Sequence, residues 1–385
     1  MKEVILHIGM HKTGSSSIQA SLENYSDDTT TYARFEETNH SMALSTIFSE
    51  TRYDYHLWKI VGLSKDEIDD KKRHYLEVLE KDLVDPKFER LIISGEGISM
   101  LLWEEKRSLL RFFKSRGIRV KVVCFVRAPN DFATSAIQER IKGGGLKTLP
   151  YMDPVYRQRL LYFSKNLPKE SLIVKDFADV VSEYGDVVTG FAAICGLDSE
   201  RIDRKRVNES LSATATKLVY RLNKLPITIF GNHDRVMARQ KLINILSMAF
   251  PTSGDDKLDA GVLCGLLSPT VDDDAKFLLD SFHVDFTQVS HASNLESCEK
   301  YLSDLSDITP KLLLDALKKQ QVRLPRCNTI DEILTKLYQE CLQERSNVSK
   351  LESSVTHLRN LALKTGEQGW LFRSGKHVWK FWHRR

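Results

Sequence analysis

Residues 4–17 have the sequence Val4-Ile5-Leu6-His7-Ile8-Gly9-Met10-His11-Lys12-Thr13-Gly14-Ser15-Ser16-Ser17. The apolar, β-branched start predicts a buried strand, and the serines predict the first turn of a helix. A strand, a short glycine-containing loop with one lysine, and a helix start together aim backbone N–H groups at a phosphate or sulfate. The serines can cap the helix and donate their hydroxyls to the same anion. The alternative is an ordinary strand–helix turn with a serine cap.

The spacing within this loop differs from that of a triphosphate-binding loop. Such a loop has the pattern G-x-x-x-x-G-K-[ST], with the lysine directly after the second glycine. Gly9 and Gly14 have the required separation, but Ser15 stands in the lysine position and Lys12 comes two residues before Gly14. The loop therefore indicates an anion site of another kind.

Three more short apolar runs follow, at residues 91–94, 120–126 and 172–174. Each is rich in β-branched residues and ends in a polar or glycine-containing turn, which is typical of strands buried on both faces of a parallel sheet. Helical periodicity lies between successive apolar runs, at 71–83 before the run at 91–94 and at 103–114 after it. We predict an α/β fold with an open, mainly parallel sheet and flanking helices. The chemistry is expected at the turns after the strands, because ligands bind at the carboxyl ends of such sheets.

A second anion site is predicted after the strand at 120–126. Arg127 comes at the end of this strand, and Ser135 follows eight residues later on the next helix. The guanidinium and the hydroxyl can converge on one phosphate. The alternatives are a surface ion pair for Arg127 and an ordinary helix position for Ser135.

The first loop resembles the 5′-phosphosulfate-binding loop of sulfotransferases that use 3′-phosphoadenosine 5′-phosphosulfate (PAPS), whose usual form is P-K-x-G-[TS]-[TS]. Lys12, Gly14, Ser15 and Ser16 match this pattern. His11 stands where proline is usual, which leaves the turn less restricted in φ but removes no hydrogen-bond donor.

The second site is similar to the 3′-phosphate site of the same family. The resemblance implies a P-loop-like sulfotransferase fold of the bacterial type, with PAPS as the sulfuryl donor. No metal is implied, because the loop lacks a neighbouring acidic magnesium ligand of recognisable spacing. The cofactor-binding residues that the resemblance implies are Lys12, Thr13, Gly14, Ser15, Ser16, Ser17, Arg127, Ser135 and Arg206.

Glu96 is the predicted general base. It follows the strand at 91–94 and lies between the two anion-binding segments, similar to where sulfotransferases carry a catalytic Glu or His. Sulfuryl transfer to a hydroxyl needs a base to take the acceptor's proton, and a carboxylate at a strand end can do so. Gly95 and Gly97 are expected to let an acceptor approach closely. The alternative role of Glu96 is a capping carboxylate for the following helix.

Lys12 is the second predicted catalytic residue. Its ammonium is expected to neutralise charge on the oxygen that bridges phosphate and sulfate while that bond breaks. Two histidines are alternative bases. His7 alternates within a strand and is more typical of a packed side chain. His11 lies in the loop, where the alternative to a role as base is that it shapes the loop.

Arg206 belongs to a basic run at 201–208. The resemblance suggests that a later basic loop closes the cofactor site and brings Arg204 or Arg206 to the 3′-phosphate. The usual family loop contains R-K-G, whereas this run has no glycine. The alternative is a solvated run of charges.

The charge of the chain is unevenly distributed. Its 385 residues contain 56 Lys and Arg against 52 Asp and Glu, a net charge of +4. The last fifteen residues hold five of the cations and no acid, so the rest is close to neutral. This distribution excludes a protein that coats nucleic acid, and we expect no nucleic-acid partner.

Three regions are predicted along the chain. Residues 1–325 form a sulfotransferase-like α/β domain, of which 210–325 is mostly helical. Residues 330–362 form an amphipathic helix packed on its own domain or a short coiled coil, because apolar residues recur at 3–4 spacing from Leu334. A coiled coil would make a homodimer through 334–362. Residues 363–385 form a basic aromatic tail.

The tail interleaves five aromatic residues with the five cations over 370–385. This pattern indicates contact with a membrane surface or an anionic polymer, or docking of the tail onto the domain. The chain enters a strand after three residues, which leaves no room for a signal peptide. Its six cysteines form no C-x-x-C pair, which favours reduced thiols. We expect a cytoplasmic protein, peripheral at the inner membrane face.

The predicted function is transfer of a sulfuryl group from PAPS to the hydroxyl of an acceptor, a carbohydrate or glycolipid, with a carboxylate as base. A P-loop nucleotide kinase is the first alternative, and the displaced lysine argues against it. A non-catalytic module that binds a nucleotide or a glycan is the second.

Overall fold

A computed structural model describes residues 1–205, 210–228, 233–252, 256–287 and 293–365. Side chains are described through residue 347, except at positions 56 and 60. The chain divides into two compact units. The first comprises Met1–Glu139, Thr148–Ser210 and Leu258–Tyr301, and the second comprises Arg140–Lys147, Leu211–Lys257 and the described part of Leu302–Arg385.

The first unit contains a five-stranded sheet in which every described pairing is parallel. The strands are β1 (Glu3–His7), β2 (Thr30–Tyr32), β3 (Arg90–Ser94), β4 (Arg119–Val126) and β5 (Leu172–Asp176). Their order across the sheet is β2-β3-β1-β4-β5. The prediction of an α/β fold with an open, mainly parallel sheet and flanking helices is confirmed.

Helices alternate with these strands in chain order. They are α1 (Ser15–Ser21), α2 (Ser41–Phe48), α3 (His56–Val61), α4 (Lys65–Val84), α5 (Gly97–Met100), α6 (Trp103–Lys114), α7 (Pro129–Gly143), α8 (Tyr156–Asn166), α9 (Phe177–Tyr184) and α10 (Val187–Cys195). The helix predicted over 71–83 begins earlier because Ser64 and Glu67 form a reciprocal capping box at its start.

Successive residues of β1 pack on opposite faces of the sheet, as a fully covered parallel sheet requires. Val4 and Leu6 belong to one apolar cluster, which includes residues of α2, α4, α6 and α8. Ile5 belongs to a second cluster with Ile18 and Phe191, on α1 and α10. Both faces of the strand are therefore buried.

The remaining helices follow the sheet in the chain. They are α11 (Ala213–Lys224), α12 (His233–Ala249), α13 (Ala260–Leu263), α14 (Val271–Phe282), α15 (Leu295–Ser303), α16 (Pro310–Lys319) and α17 (Ile330–Thr365). None of the helices in the described parts of the chain is both long enough and apolar enough to cross a membrane.

The compact units and the predicted regions divide the chain at different residues, and the predicted regions stay a prediction. The segment 210–325 is shared between both units, because part of it packs beside the sheet. In that part, the Asp274 carboxylate on α14 accepts hydrogen bonds from the N–H groups of Tyr156 and Arg157 at the start of α8. Tertiary contacts decide in which unit a segment packs, and the composition of the sequence does not show these contacts.

The long helix α17 packs in the second unit against α11, α12 and α16. Leu334, Leu337 and Cys341, at the predicted apolar positions, are buried there. The start of α17 is thus an amphipathic helix packed on its own unit, and the homodimer through 334–362 stays a prediction.

Candidate active site

The turns after β1, β3 and β4 carry the predicted site residues. Strand β1 lies between β3 and β4, and all three run parallel. Their carboxyl ends therefore meet at one edge of the sheet, with the loop of residues 8–14 in the middle. Glu96 follows one neighbouring strand and Arg127 follows the other.

The loop after β1 is held by its own side chains. The Thr13 hydroxyl donates to the Met10 carbonyl at 2.7 Å, and the Ser15 hydroxyl lies 3.5 Å from the same oxygen. Both side chains are buried. These two hydroxyls close the loop on itself, and the binding of the cofactor by Thr13 and Ser15 stays a prediction. Ser16 and Ser17 are half-buried, and their side chains remain candidates for ligand contact.

Glycine is required where α1 begins. Gly14 is the N-cap, with φ of 74°, and no side chain caps the helix, so the expected serine cap is wrong. A Cβ at Gly14 would lie 2.7 Å from Val187 Cγ1 on α10. The first helical bonds run from Ser17 N and Ile18 N to Gly14 O. The N–H groups of Ser15 and Ser16 therefore precede the helical hydrogen bonds.

Lys12 links the loop to α7. Its backbone has φ of 69°, and its ammonium lies 3.1 Å from the Glu139 carboxylate. Its carbonyl accepts a hydrogen bond of 3.1 Å from Arg127 Nη1. The two predicted anion sites are thus joined directly through the main chain of Lys12.

Arg127 and Ser135 contact each other, and their convergence on one phosphate stays a prediction. Arg127 Nη1 donates to the Ser135 hydroxyl at 2.9 Å, and the guanidinium lies 5.6 Å from the ring centroid of Phe177. The Tyr156 hydroxyl accepts from the Arg127 N–H at 3.0 Å and fixes the backbone at the strand end. None of the ion pairs found in the described parts of the chain includes Arg127. A half-buried guanidinium with this partner set fits an anionic ligand.

Glu96 is bonded to His11. The distance between Glu96 Oε2 and His11 Nδ1 is 2.7 Å, and the side chains are 18% and 48% exposed, respectively. Glu96 is the N-cap residue of α5, but its side chain makes no capping hydrogen bond. The alternative role as a capping carboxylate is therefore wrong.

The glycines beside Glu96 serve packing instead of substrate approach. A Cβ at Gly95 would lie 2.7 Å from Ser41 N, and one at Gly97 would lie 2.9 Å from Ser41 Cβ. The Ser41 hydroxyl also accepts from the Gly97 N–H. The expectation of open space for an acceptor at these glycines is wrong, because the start of α2 fills it.

His7 is a packed side chain beneath the loop. It is fully buried, and its Nδ1 lies 2.7 Å from the Ser94 hydroxyl of β3. Burial lowers the pKa of His7 to about 4, although the nearby Glu96 charge acts in the opposite direction. The ring is neutral at pH 7 and out of reach of an acceptor in solvent.

Arg159 on α8 is a site residue that sequence reasoning missed. It is 6% exposed, and its Nη1 lies 3.4 Å from the Ser99 hydroxyl and 3.7 Å from Met10 Sδ. Its Nε has no hydrogen-bond partner in the described structure. Burial lowers the pKa of its guanidinium, and Glu96 is among the groups that oppose this shift. The available signal was the spacing of Arg159, which follows Tyr156 by three residues and precedes Phe163 by four, on the apolar face of the helix.

Arg206 lies outside the described residues, and its contact with a 3′-phosphate stays a prediction. The residues just before it are described. Arg204 Nη1 lies 3.9 Å from Asp186 Oδ2, and the Lys205 N–H donates to the Ser21 hydroxyl at the end of α1. In the described residues, no group of three His, Cys, Asp or Glu side chains is placed to hold a metal ion.

Comparisons with solved structures give a similarity of low sequence identity. No protein-family model and no curated protein match the sequence. The crystal structure of a sulfotransferase from Alicyclobacillus acidocaldarius is similar, with 14% sequence identity and a TM-score of 0.36. The matched region covers 63% of this chain and 96% of that chain. At this level of similarity, function must be argued from the residues of this chain.

Proposed function

We propose that this protein transfers the sulfuryl group of PAPS to the hydroxyl of an acceptor and releases adenosine 3′,5′-bisphosphate. The observation that supports this most is the link between the two cationic sites. Arg127 donates both to the Ser135 hydroxyl and to the carbonyl of Lys12. A ligand with phosphate groups at two positions matches such a pair of sites better than a ligand with one phosphate chain does.

The residues present fit the donor. Arg127 and Ser135 would hold the 3′-phosphate through a charge-assisted fork and a hydroxyl. The N–H groups of Ser15 and Ser16 would hold the 5′-phosphosulfate. When the donor binds, the Lys12 ammonium would leave the Glu139 carboxylate and pair with oxygens of the ligand.

The chemistry requires a proton acceptor and a positive charge. The acceptor's oxygen attacks sulfur, its O–H bond breaks, and the bond between sulfur and the bridging phosphate oxygen breaks. Lys12 would stabilise the negative charge that develops on this oxygen. The proton would go to the pair formed by Glu96, the predicted base, and His11.

We further propose that the acceptor is a carbohydrate or glycolipid at the inner membrane face. This rests on the basic aromatic sequence of 370–385, which lies outside the described residues. A cytoplasmic location follows from the same proposal, because the tail would reach a membrane from that side.

Calorimetry with adenosine 3′,5′-bisphosphate and with ATP tests the proposed function. We expect the bisphosphate to bind, and Lys12→Ala to weaken binding by about ten- to hundredfold, as the loss of a charge-assisted contact does. Lys2→Ala is the matched control. Lys2 pairs with Glu89 at the opposite end of β1, so its loss should leave binding unchanged.

Each rival function gives a different result. A nucleotide kinase would bind and turn over ATP and would not respond to PAPS. A binding module would take up the bisphosphate without turning over PAPS. If the bisphosphate binds Lys12→Ala as tightly as the wild-type protein, the loop after β1 is not its site and the proposal fails.

A further inference from the structure

We infer that His11, and not Glu96, takes the acceptor's proton, and that Glu96 is a positioning residue that orients the imidazole. This inference rests on the proposed function. The observation behind it is the 2.7 Å hydrogen bond between Glu96 Oε2 and His11 Nδ1, which joins residues from the ends of two neighbouring strands.

The hydrogen bond determines which ring nitrogen can act as a base. A carboxylate has no hydrogen to donate, so Nδ1 of His11 carries the hydrogen of this bond. The lone pair of the neutral ring is then on Nε2. In the described structure Nε2 has no hydrogen-bond partner. Glu96 thus selects the tautomer in which the other nitrogen is a proton acceptor.

Access to solvent favours the His11 imidazole over the Glu96 carboxylate as the general base. The side chain of His11 is 48% exposed, whereas that of Glu96 is 18% exposed and already bonded through Oε2. The backbone on both sides of Glu96 is packed against Ser41. A general base must reach the proton that it removes, and His11 meets this condition better.

The position of His11 also suits the reaction. It directly precedes Lys12 in the loop, so base and leaving-group cation come from adjacent residues. The acceptor's O–H bond breaks as its oxygen bonds to sulfur, and the proton moves to Nε2 of His11. The resulting imidazolium faces the Glu96 carboxylate, which stabilises its charge without taking the proton. The electron pair of the broken S–O bond stays on the phosphate oxygen beside Lys12.

The test measures two quantities for each variant. Calorimetry gives the affinity for adenosine 3′,5′-bisphosphate, and PAPS turnover is followed as bisphosphate released with water and simple methyl glycosides as acceptors. We expect His11→Asn to bind the bisphosphate within about twofold of wild type and to lower kcat by about 10²–10⁴-fold, the usual contribution of a general base. The KM for PAPS should stay unchanged.

Joint action of His11 and Glu96 predicts a specific pattern of turnover rates among further variants. Glu96→Gln should slow turnover less than His11→Asn does, and the double variant should be no slower than His11→Asn, because residues that act as one unit are not additive. Added imidazole should restore turnover to His11→Gly, at least about tenfold, since only the proton acceptor is missing. A structural role for His11 would not be rescued in this way.

His74 provides the matched control. It is 47% exposed and its Nε2 lies 3.5 Å from the Glu36 carboxylate, in a histidine–carboxylate pair that includes no residue of the turns after β1, β3 and β4. His74→Asn should change neither the bisphosphate affinity nor the rate of turnover.

The inference is overturned if Glu96→Gln abolishes turnover while His11→Asn lowers turnover less than about threefold, since the carboxylate would then be the base. It is also overturned if His11→Asn loses bisphosphate binding, because His11 would then only shape the loop. Failure of wild type to bind the bisphosphate or to turn over PAPS would instead defeat the proposed function.

Discussion

Arg159 differs from Lys12 and Glu96 in having no ion-pair partner among the described residues, a property that it shares with Arg127. Lys12 pairs with Glu139, and Glu96 pairs with His11. The Arg159 guanidinium contacts only the neutral groups Ser99 and Met10 among its described hydrogen-bond partners. A buried charge without an ion-pair partner costs free energy of folding, so Arg159 is a residue at which stability and the proposed activity can be tested together.

Replacement of Arg159 should therefore raise stability and lower activity. We expect Arg159→Met to raise the melting temperature by a few degrees, because it removes a buried charge that has no ion-pair partner and keeps much of the side-chain volume. PAPS turnover should fall at least about tenfold, because a fixed positive charge near the reacting groups is lost. Differential scanning calorimetry and the turnover assay measure the two effects.

Arg239 is the control for this prediction. It is also buried, but its guanidinium donates to the carbonyls of Ile141 and Lys142. Arg239→Met should lower the melting temperature, because it removes hydrogen bonds that the guanidinium donates to two backbone carbonyls. If Arg159→Met also lowers the melting temperature and leaves PAPS turnover unchanged, Arg159 has a structural role only.

At the scale of elements, the turn from β1 to α1 depends on close packing against α10. Gly14 combines a left-handed backbone with a position where a Cβ would contact Val187. Gly62, at the end of α3, has a similar φ of 78° but nothing within 4 Å of a Cβ. Substitution of Gly62 therefore tests backbone strain alone, whereas substitution of Gly14 tests strain together with steric contact.

We expect Gly62→Ala to cost about 1 kcal/mol of folding free energy, the strain of a left-handed alanine, and to leave bisphosphate affinity unchanged. Gly14→Ala should cost more and weaken bisphosphate binding at least about tenfold, because the loop must move away from α10. Urea unfolding and calorimetry measure these effects. Equal affinities in both variants would show that the loop's conformation is not important for the ligand.

At the scale of the whole molecule, two buried histidines make stability depend on pH. Burial lowers the pKa of His7 to about 4 and that of His40 to about 3, from 6.5 for an exposed ring. Below pH 6.5 the unfolded chain takes up protons that the folded unit does not. The folded state therefore loses stability as pH falls from 6.5 toward these folded values.

We expect the free energy of unfolding of the unit that contains the sheet to fall by about 1.4 kcal/mol per pH unit for each histidine. Urea unfolding at pH 7, 6 and 5 measures the slope. His7→Gln should make the slope shallower, whereas replacement of the exposed His74 should not. An unchanged slope in His7→Gln would mean that His7 can be protonated in the folded state.

The tail is the second feature at this scale. We expect full-length protein to bind vesicles that contain anionic lipid, and a chain ending at residue 365 to lose most of this binding, since it loses all five cations of the tail. Bisphosphate affinity should be equal in the two proteins. Vesicle sedimentation at low and high salt measures the effect, and equal sedimentation of both chains would contradict a membrane role for the tail.

The fold and the order of the site along the chain were predictable from local patterns. A buried parallel strand and an amphipathic helix each have a period that is visible within a few residues. The runs ending before Gly9, Glu96 and Arg127 could thus be assigned to strands, and ligand sites to their carboxyl ends. The convergence of Arg127 with Ser135 followed as well, because eight residues of chain connect them.

The contacts within the site were decided only by the tertiary structure. His11 and Glu96 are 85 residues apart, and they meet because β1 and β3 are neighbours in the sheet. The inward turn of Thr13 and the burial of Arg159 depend likewise on what packs against them. Periodicity determines which face of an element is buried, whereas the strand order and the packing of helices determine which side chains meet across elements.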